Sequence, residues 1–517
     1  MVNPGVVLGE ANARHLLRRT GFGADPVKVT RFSPLTRGQA ADLLLSFRPS
    51  VFKPLGRSIR ERQVSWLKYM MTTQQPLQEK LVLFWHDHFA TSNAKVENDL
   101  LMALQNALLR KYCRGNLKDF VKAINKNAAM MEFLDTVRNG KDQPNENYAR
   151  ELQELFTLGA RDINGNQNYG QADVRQIARA FTGWDYNYPS GTPVFDTWNH
   201  DINAVYEAER GAKVIYGPET VDGQPVTFGQ FATPQDFSVD AMNVPNEGAP
   251  EIDRVVDIIF QHRDSDAKNT VARFVTGKLW IYFAQPHPKR PVPGALKQMI
   301  DDVVSFSSFD TQWNLTSLLH AMFSHDNFYD TAAPATYTSG TLKSVKWPVD
   351  YVVSTLRLLK VSLRTRYGYT YIEGGNYSGI LELLSNMGQV LLEPPSVFGW
   401  DWETAWLSSA TLLARYTFAR DLTSARAANG NSPTAFRPTR MKFVDITLTD
   451  PGAIVDAAAK YLGIKDQLTT GDRDALISYL TDGNPGATVN LTDYTVRNTK
   501  LHGLFALLLE SPAYQIH

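Results

Sequence analysis

The stretch "LVLFWHDHFATSN", Leu81 to Asn93, places three ionisable side chains directly behind a strongly apolar run. Its helical pattern starts upstream, in "QPLQEKLVLFWHDHF", where Pro76 suits the first turn of a helix. So apolar a helix indicates a core element against which other helices pack. We expect His86, Asp87 and His88 to stand at the polar end of this core helix, to meet the helix that carries Glu151, and to line a cleft.

The overall composition describes a protein with room for a large core and no general charge preference. The chain has 517 residues, of which 43% are hydrophobic and 21% are charged. Lys and Arg together number 53, and so do Asp and Glu, so the formal net charge is zero. General binding to nucleic acid or to an acidic membrane needs a basic surplus, which is absent here, whereas a local basic patch remains compatible with these numbers.

Cysteine content and apolar runs limit the class further. Cys113 is the one cysteine, so no internal disulfide and no cysteine-based metal cluster can form. No apolar run approaches the roughly 20 residues that a membrane-spanning helix needs. The opening sequence "MVNPGVVLGEANARHLL" lacks the basic, apolar and small-residue order of a signal peptide. We therefore expect no membrane span.

Helical periodicity dominates both ends of the chain and predicts a mainly α fold. The region 1–185 is expected to be helical and to carry most of the candidate site. The region 186–249 is rich in Gly, Pro, Thr and aromatic residues, which predicts an irregular insertion with one or two β-hairpins. Helical patterns return over 250–517, which we expect to pack with the first region as one unit. The prediction is a large multi-helix domain with a hairpin-containing insertion and long aromatic loops.

Several helix limits can be predicted from local patterns. Ser33 and Pro34 resemble the cap and first turn of one helix. Further helical patterns cover Asp99–Tyr112, Leu117–Asn125 and Asn145–Leu158.

The segment "NENYARELQELFTLG", Asn145 to Gly159, is the most informative helix. On a regular helix, Glu146, Arg150 and Glu154 repeat every four residues on the polar side, where they can form surface pairs. Glu151 instead lies at the edge of the apolar arc, so its carboxyl must find a partner or accept a raised pKa. A raised pKa suits a general acid. The alternative for Glu151 is a structural ion pair with an arginine of a neighbouring helix. The alternative for Glu146 is an exposed position in the first turn, where its charge stabilises the helix N-terminus.

The spacing of His86 and His88 bears on whether they bind a metal. Two residues on a continuous helix are rotated by roughly 200°, so both rings cannot face one ligand. At a fraying helix end the pair can converge on a metal, with Asp87 as an oxygen ligand or as an orienting group. The alternative is a set of hydrogen-bonded histidines near the core.

Two loops add candidate residues. "WNHDINAVY" carries His200 and Asp201 inside the irregular insertion, where they either complete a site or cap turns. "EPPSVFGWDWETAW" concentrates Trp400, Trp402 and Trp406, which suit a stacking platform for sugar rings or an aromatic plug over the helices. No glycine-rich phosphate loop, G-x-S-x-G elbow or H-E-x-x-H motif is present, which argues against the corresponding enzymes.

Six blocks of the chain resemble DUF1800, a large bacterial family described as a domain of unknown function. They are "HLLRRTGFG", "LVLFWHDHFATS", "NENYARELQELFTLG", "DVRQIARAFTGW", "MGQVLLEPPSVFGW" and "SSATLLARY", in family order over nearly the whole chain. The family typically places a lysine and a short "LG" soon after a His-Asp pair. Here extra residues separate His200-Asp201 from Lys213, and Tyr216 stands where leucine is usual.

The resemblance implies an exported, extracytoplasmic protein, because similar proteins often carry export signals. It also points to a set of residues that overlaps the one the physical pattern selects: Arg18, Arg19, His86, His88, Asn145, Glu146, Asn147, Arg150, Glu151, His200 and Asp201.

The leading hypothesis is an exported hydrolase that acts on an extracellular polysaccharide or glycoconjugate by glycosidase-type carboxylate chemistry. Glu151 would be the general acid, with Asp87 or Glu146 as the second carboxylate. The residues expected to bind the carbohydrate polymer or oligosaccharide are His86, His88, Asn147, Arg150, Arg19, His200, Asp201, Trp400 and Trp402. No cofactor is expected. The alternatives are a metal-dependent hydrolase that uses His86 and His88, and a non-catalytic surface or assembly protein with a buried polar network.

Overall fold

The fold is mainly α-helical, as the sequence predicts. The computed structural model describes residues 1–201, 213–217, 219–221, 224–226, 235–236, 250–284, 294–329, 344–366, 369–372, 379–423 and 443–517. Much of the predicted insertion, 186–249, therefore lies outside the described residues.

Helices before the insertion are joined by short connections. They are α1 (Gly9–Thr20), α2 (Pro26–Phe32), α3 (Arg37–Leu45), α4 (Ile59–Thr72), α5 (Pro76–His88), α6 (Asn93–Val96), α7 (Asp99–Tyr112), α8 (Leu117–Asn125), α9 (Ala128–Phe133), α10 (Asn147–Glu151) and α11 (Gln171–Ala180). Helix α10 continues without a break into a π-helical segment, Leu152–Thr157.

Helices after the insertion pack into the same apolar core as the first set. They are α12 (Glu251–Ile259), α13 (Thr270–Phe283), α14 (Gly294–Ser307), α15 (Phe309–Gln312), α16 (Leu315–Phe323), α17 (Asp326–Tyr329), α18 (Pro348–Leu358), α19 (Ile380–Asn386), α20 (Ser409–Thr423), α21 (Pro451–Leu462), α22 (Thr470–Leu480), α23 (Tyr494–Glu510) and α24 (Pro512–Gln515). Among the described helices none is long and apolar enough to cross a membrane.

The strands form two-stranded antiparallel pairs. They are β1 (Trp184–Asn187) with β2 (Thr192–Phe195), β3 (Val214–Ile215) with β6 (Gln235–Asp236), β4 (Glu219–Val221) with β5 (Gln224–Val226), and β7 (Leu363–Arg366) with β8 (Tyr369–Ile372). The first three pairs start in or just before the predicted insertion, so its hairpin character is confirmed where the structure describes it.

Local capping explains where the helices start. Asn98 and Asn116 accept hydrogen bonds from backbone N–H groups in the first turns of α7 and α8, whose limits match the sequence prediction. The predicted start at Ser33 and Pro34 is wrong. Helix α3 is instead capped by Thr36, whose side chain and that of Gln39 bond reciprocally to each other's backbone.

Helix α5 is buried along almost its whole length, from Leu77 to His88. Its charged residues are therefore inside the protein, and each needs a partner. Glu79 accepts hydrogen bonds from Arg110 at 2.7 and 2.8 Å and from the indole Nε1 of Trp66 at 2.7 Å. Lys80 Nζ lies 3.1 Å from Asp350 Oδ2, which also contacts His517 Nε2 at 2.6 Å. These pairs fix α5 against α7, α18 and the C-terminal segment.

We predict that Glu79→Gln lowers the free energy of unfolding by about 3–5 kcal/mol, because it leaves the Arg110 charge buried without a counter-charge. Urea denaturation of both proteins measures the difference. The matched control is Glu10→Gln, which removes the exposed pair with Arg14 and should cost at most about 1 kcal/mol. Equal losses in the two variants would contradict a structural role for the buried pair.

Candidate functional site

The carboxyl group of Asp87 is held beneath the tryptophan-rich loop. Asp87 Oδ1 accepts the backbone N–H of Trp400 at 2.7 Å, and Oδ2 accepts the indole N–H of Trp402 at 3.1 Å. Gly399 has φ +85°, and a Cβ at that position would lie 2.3 Å from Asp87 Oδ1. A glycine is therefore required for the loop to approach the carboxyl this closely.

The three tryptophans are used mainly for packing. Trp400 and Trp406 are buried, whereas Trp402 is half-buried and meets Trp347 edge to face at 5.1 Å between ring centroids. The loop thus covers the helices as an aromatic plug, and Trp402 offers part of its surface to solvent.

Burial raises the pKa of Asp87 to about 7. The positive charge of Lys278 and the hydrogen bonds from the Trp400 N–H and the Trp402 indole lower this pKa, but they only partly offset the effect of burial. The side chain exchanges a proton near neutral pH as a result. Asp87 is 2% exposed, so a substrate reaches it only if the loop moves.

His86 and His88 face different surroundings, as their spacing on a continuous helix predicts. His86 packs edge to face between Trp66 and Trp400, and its ring nitrogens make no hydrogen bond among the described residues. His88 Nε2 lies 3.1 Å from the carbonyl oxygen of Phe156. Burial lowers the pKa of His86 to about 3 and holds the pKa of His88 well below its usual value, so both rings are neutral.

The prediction that His86, Asp87 and His88 line a cleft is therefore wrong. The prediction that this helix end contacts the helix that carries Glu151 is confirmed. His88 contacts Phe156 in the π-helical segment, and all three of His86, Asp87 and His88 are at most 2% exposed. Within the part of the chain that the structure describes, no three His, Cys, Asp or Glu side chains are grouped to hold a metal ion.

The helix α10 and its π-helical continuation present carboxyl groups at the surface. Glu151 is half-buried, and its carboxyl makes no hydrogen bond or ion pair with the described residues. Burial, with the nearby charge of Glu154, raises the pKa of Glu151, and Arg150 opposes this. Glu154 Oε2 accepts the hydroxyl of Tyr169 at 2.9 Å. Two carboxyl groups three residues apart thus differ in their environment.

The same helix contains a wide π turn. The N–H of Leu158 donates to the carbonyl of Gln153 at 2.8 Å, five residues back. Gln153 is fully buried and accepts the hydroxyl of Tyr216 at 3.2 Å. The tyrosine that departs from the usual family residue therefore anchors this turn.

Glu146, Asn147 and Arg150 belong to a polar network at the start of the helix. Arg150 donates to Glu146 at 3.3 Å and to Gln171 at 3.0 Å. Glu146 also accepts from Gln171 at 2.7 Å. The side-chain amide of Asn147 points instead toward Leu134 O and Asp135, at 3.5 Å from each. These contacts match the surface pairing expected for Glu146 and Arg150.

Arg18 and Arg19 lie elsewhere. Arg18 donates to the carbonyl of Gly463 at 2.8 Å. Arg19 is buried and donates to the carbonyls of Phe283 and Tyr282 and to the hydroxyl of Ser344. Its charge partly offsets burial at Glu403, whose pKa is nevertheless raised to about 7.

Glu403 is a candidate that the sequence pattern did not single out. It follows Trp402 in the plug, is half-buried, and has the left-handed φ of +56°. Strain of this kind in a non-glycine residue cannot be inferred from residue type.

His200 and Asp201 are buried in a second polar cluster. His200 Nε2 lies 3.2 Å from Glu251 Oε2, and Lys213 Nζ donates to the same oxygen at 2.7 Å. Asp201 accepts from Arg179 at 2.9 and 3.2 Å. The extra residues after Asp201 thus do not keep Lys213 from returning to His200, at 3.5 Å.

A family model described as "Protein of unknown function (DUF1800)" matches residues 15–516. The chain belongs to the DUF1800 family. No curated protein and no solved structure matches it. The DUF1800 description carries no activity, so the function has to be inferred from the site.

In this DUF1800 protein the candidates separate into two groups. His86, Asp87, His88, His200 and Asp201 are interior groups, 2% exposed or less. The half-buried carboxyl groups are those of Glu146, Glu151 and Glu154, with Glu403 in the plug.

We predict that Asp87 makes stability depend on pH. Its pKa is 3.8 in an exposed chain and about 7 in the fold. The folded protein therefore binds more protons between these values, and the free energy of unfolding falls as pH rises through this interval, by a total on the order of a few kcal/mol.

The measurement is urea denaturation of wild type and Asp87→Asn from pH 4.5 to about 7.5. The stability of the variant relative to wild type should rise with pH. A difference that stays constant would show that Asp87 ionises as it does in the unfolded chain.

Proposed function

We propose that this protein is an exported hydrolase of an extracellular polysaccharide or glycoconjugate, with Glu151 as its general acid. One observation carries the proposal: the Glu151 carboxyl is half-buried, has no hydrogen-bond partner among the described residues, and has a raised pKa. The ion pair that would have made Glu151 structural is absent from the described residues. A carboxyl group whose pKa is raised and that remains partly accessible suits proton donation to a leaving group.

We assign the second carboxylate role to Glu154 in preference to Asp87 and Glu146. Both oxygens of Asp87 accept hydrogen bonds from the tryptophan loop, and Glu146 is bonded to Arg150 and Gln171. Glu154 accepts one hydrogen bond, from the hydroxyl of Tyr169, which orients its carboxyl group. Paired carboxyl groups with different environments are the usual basis of glycoside hydrolysis.

The proposed reaction uses these two groups in sequence. Glu151 donates its proton to the glycosidic oxygen as the bond from that oxygen to the sugar carbon breaks. In the inverting form, Glu154 removes a proton from a water molecule that attacks the same carbon. In the retaining form, Glu154 attacks directly, and Glu151 then removes the proton from the water that releases the sugar. Inversion requires roughly 6.5–9.5 Å between the carboxyl groups in the complex, and retention about 5–5.5 Å.

A non-catalytic assembly protein is the second candidate. The observation that favours it is the complete burial of the His86–His88 and His200–Asp201 groups, which resembles a network that fixes helix packing. This role predicts no turnover of any substrate.

We predict that Glu151→Gln abolishes hydrolysis and leaves the fold intact, because glutamine keeps the shape but has no acidic proton. The test follows reducing ends released from a panel of neutral and acidic bacterial and plant polysaccharides, by wild type and by three variants. Glu154→Gln should lower the rate of hydrolysis by at least about 100-fold, which is the usual contribution of one acid–base group. The control Glu97→Gln changes an exposed carboxylate outside the site and should retain full activity.

Two results would reject the assignment. An unchanged rate in Glu151→Gln would remove Glu151 from the mechanism. If wild type hydrolyses no polysaccharide of the panel and Glu151→Gln has a lower melting temperature, the assembly role is favoured.

A further inference from the structure

A large open groove lies on a part of the molecule that the carboxylate site does not use. Its volume is about 1420 Å³. The end of α1 and the glycine turn after it form one wall, with Thr20, Gly21, Phe22 and Gly23. Helix α2, the C-terminal half of α4 and the end of α18 complete it. The "TGFG" of the first family block is thus part of the groove.

The groove is strongly basic, although the whole chain is neutral. Its cationic lining residues come from four stretches of the chain and are Lys28, Arg31, Arg48, Lys68, Arg357 and Lys360. Among the described residues that line it, Asp25 is the one carboxylate. This is a local patch of the kind that a balanced composition permits.

The carboxylate of Asp25 is already engaged. Its Oδ2 accepts Lys360 Nζ at 2.8 Å, and its Oδ1 caps α2 through the N–H of Val27 at 2.9 Å. The side-chain ammonium group of Lys28 has no hydrogen bond or ion pair with the described residues, whereas its backbone N–H donates to Asp25. Burial and the positive charges of Arg357, Lys360 and Arg31 lower the pKa of the Lys28 side chain. The negative charge of Asp25 raises this pKa but does not offset them.

The grouping of cations in one groove opposes folding, because like charges repel. Arg357 has a structural role, because it donates to the carbonyls of Met70 and Met71 at 2.8 Å and of Thr73 at 3.1 Å at the end of α4. Lys28 and Arg31 have no such role in the contacts of the described residues. An anionic ligand would supply a counter-charge to these two residues.

We propose that this groove binds an acidic polysaccharide, in which carboxylate or sulfate groups meet Lys28, Arg31 and Arg357. The inference rests on the proposed function only in taking this polymer to be the substrate that is hydrolysed. The binding itself is independent of that assignment.

The lining favours a glycan over a nucleic acid. Hydroxyl and amide side chains, among them Ser65, Thr72 and Gln75, alternate with the cations and suit sugar hydroxyls. The rings of Tyr69 and Phe52 are stacked, with 4.0 Å between their centroids, so one face of each ring is already covered. Single-stranded nucleic acids bind through open aromatic faces that take up successive bases.

The test measures binding of the full chain to four probes by isothermal titration calorimetry at two salt concentrations. The probes are polygalacturonate, chondroitin sulfate, neutral dextran and a single-stranded oligonucleotide. We expect at least one acidic polysaccharide to bind, with an affinity that falls as salt is added, and dextran not to bind.

Two groove variants and one control complete the design. Lys28→Glu with Arg31→Glu should weaken binding by tenfold or more, on the order of 1.4 kcal/mol. Lys28→Gln with Arg31→Gln removes the repulsion, should fold at least as well as wild type, and should weaken binding less. The control, Lys111→Glu with Lys268→Glu, makes the same charge change at exposed residues outside the groove and should bind as wild type does.

Three results would overturn the proposal: no binding of either acidic polysaccharide, tighter binding of the oligonucleotide, or equal weakening by the groove and control variants. Failure of the hydrolase assignment gives a different pattern. In that case acidic polysaccharide binds through the groove and no reducing ends appear, whereas hydrolysis of a neutral polymer without groove binding would support the enzyme and reject this ligand.

Discussion

Ion pairs and hydrogen bonds from buried side chains of helix α5 hold the two helical regions of the protein together. A helix that is almost wholly inside the protein carries Glu79, Lys80 and Asp87, and each one needs a partner from a distant part of the chain. Arg110 comes from α7, Asp350 from α18, and the donors to Asp87 come from the tryptophan loop. Satisfying these three groups joins both helical regions, because a buried charge without a counter-charge, or a buried carboxyl group without a hydrogen-bond partner, destabilises the fold.

The division between interior and surface groups follows from that constraint. Because α5 is enclosed, the "WHDH" residues are held by packing and hydrogen bonds. The Nε2 of His88 lies within hydrogen-bond distance of the carbonyl oxygen of Phe156 in the π-helical segment. On the same helix, the side chains of Glu151 and Glu154 are half-buried. The interior cluster thereby supports a carboxylate pair at the surface, and the basic groove lies apart from both.

The sequence predicts what depends on neighbouring residues. The starts of α7 and α8 are set by Asn98 and Asn116, and the raised pKa of Glu151 follows from its place beside the apolar arc. The sequence places Glu154 on the polar side of a regular helix, but no local pattern predicts the π turn or the hydrogen bond from Tyr169, fifteen residues on. The enclosure of "WHDH" depends on a loop more than 300 residues away, which no local pattern contains.

The central claim is that chemistry takes place at the Glu151 carboxyl group and that the residues of "WHDH" serve as its support. A crystal structure of Glu151→Gln soaked with an acidic oligosaccharide tests it most directly. We expect a glycosidic oxygen within hydrogen-bond distance of residue 151, with Glu154 near the adjoining sugar carbon and with Asp87 still bonded to Trp400 and Trp402. A sugar bound against Asp87 or His86, with the tryptophan loop displaced, would contradict it.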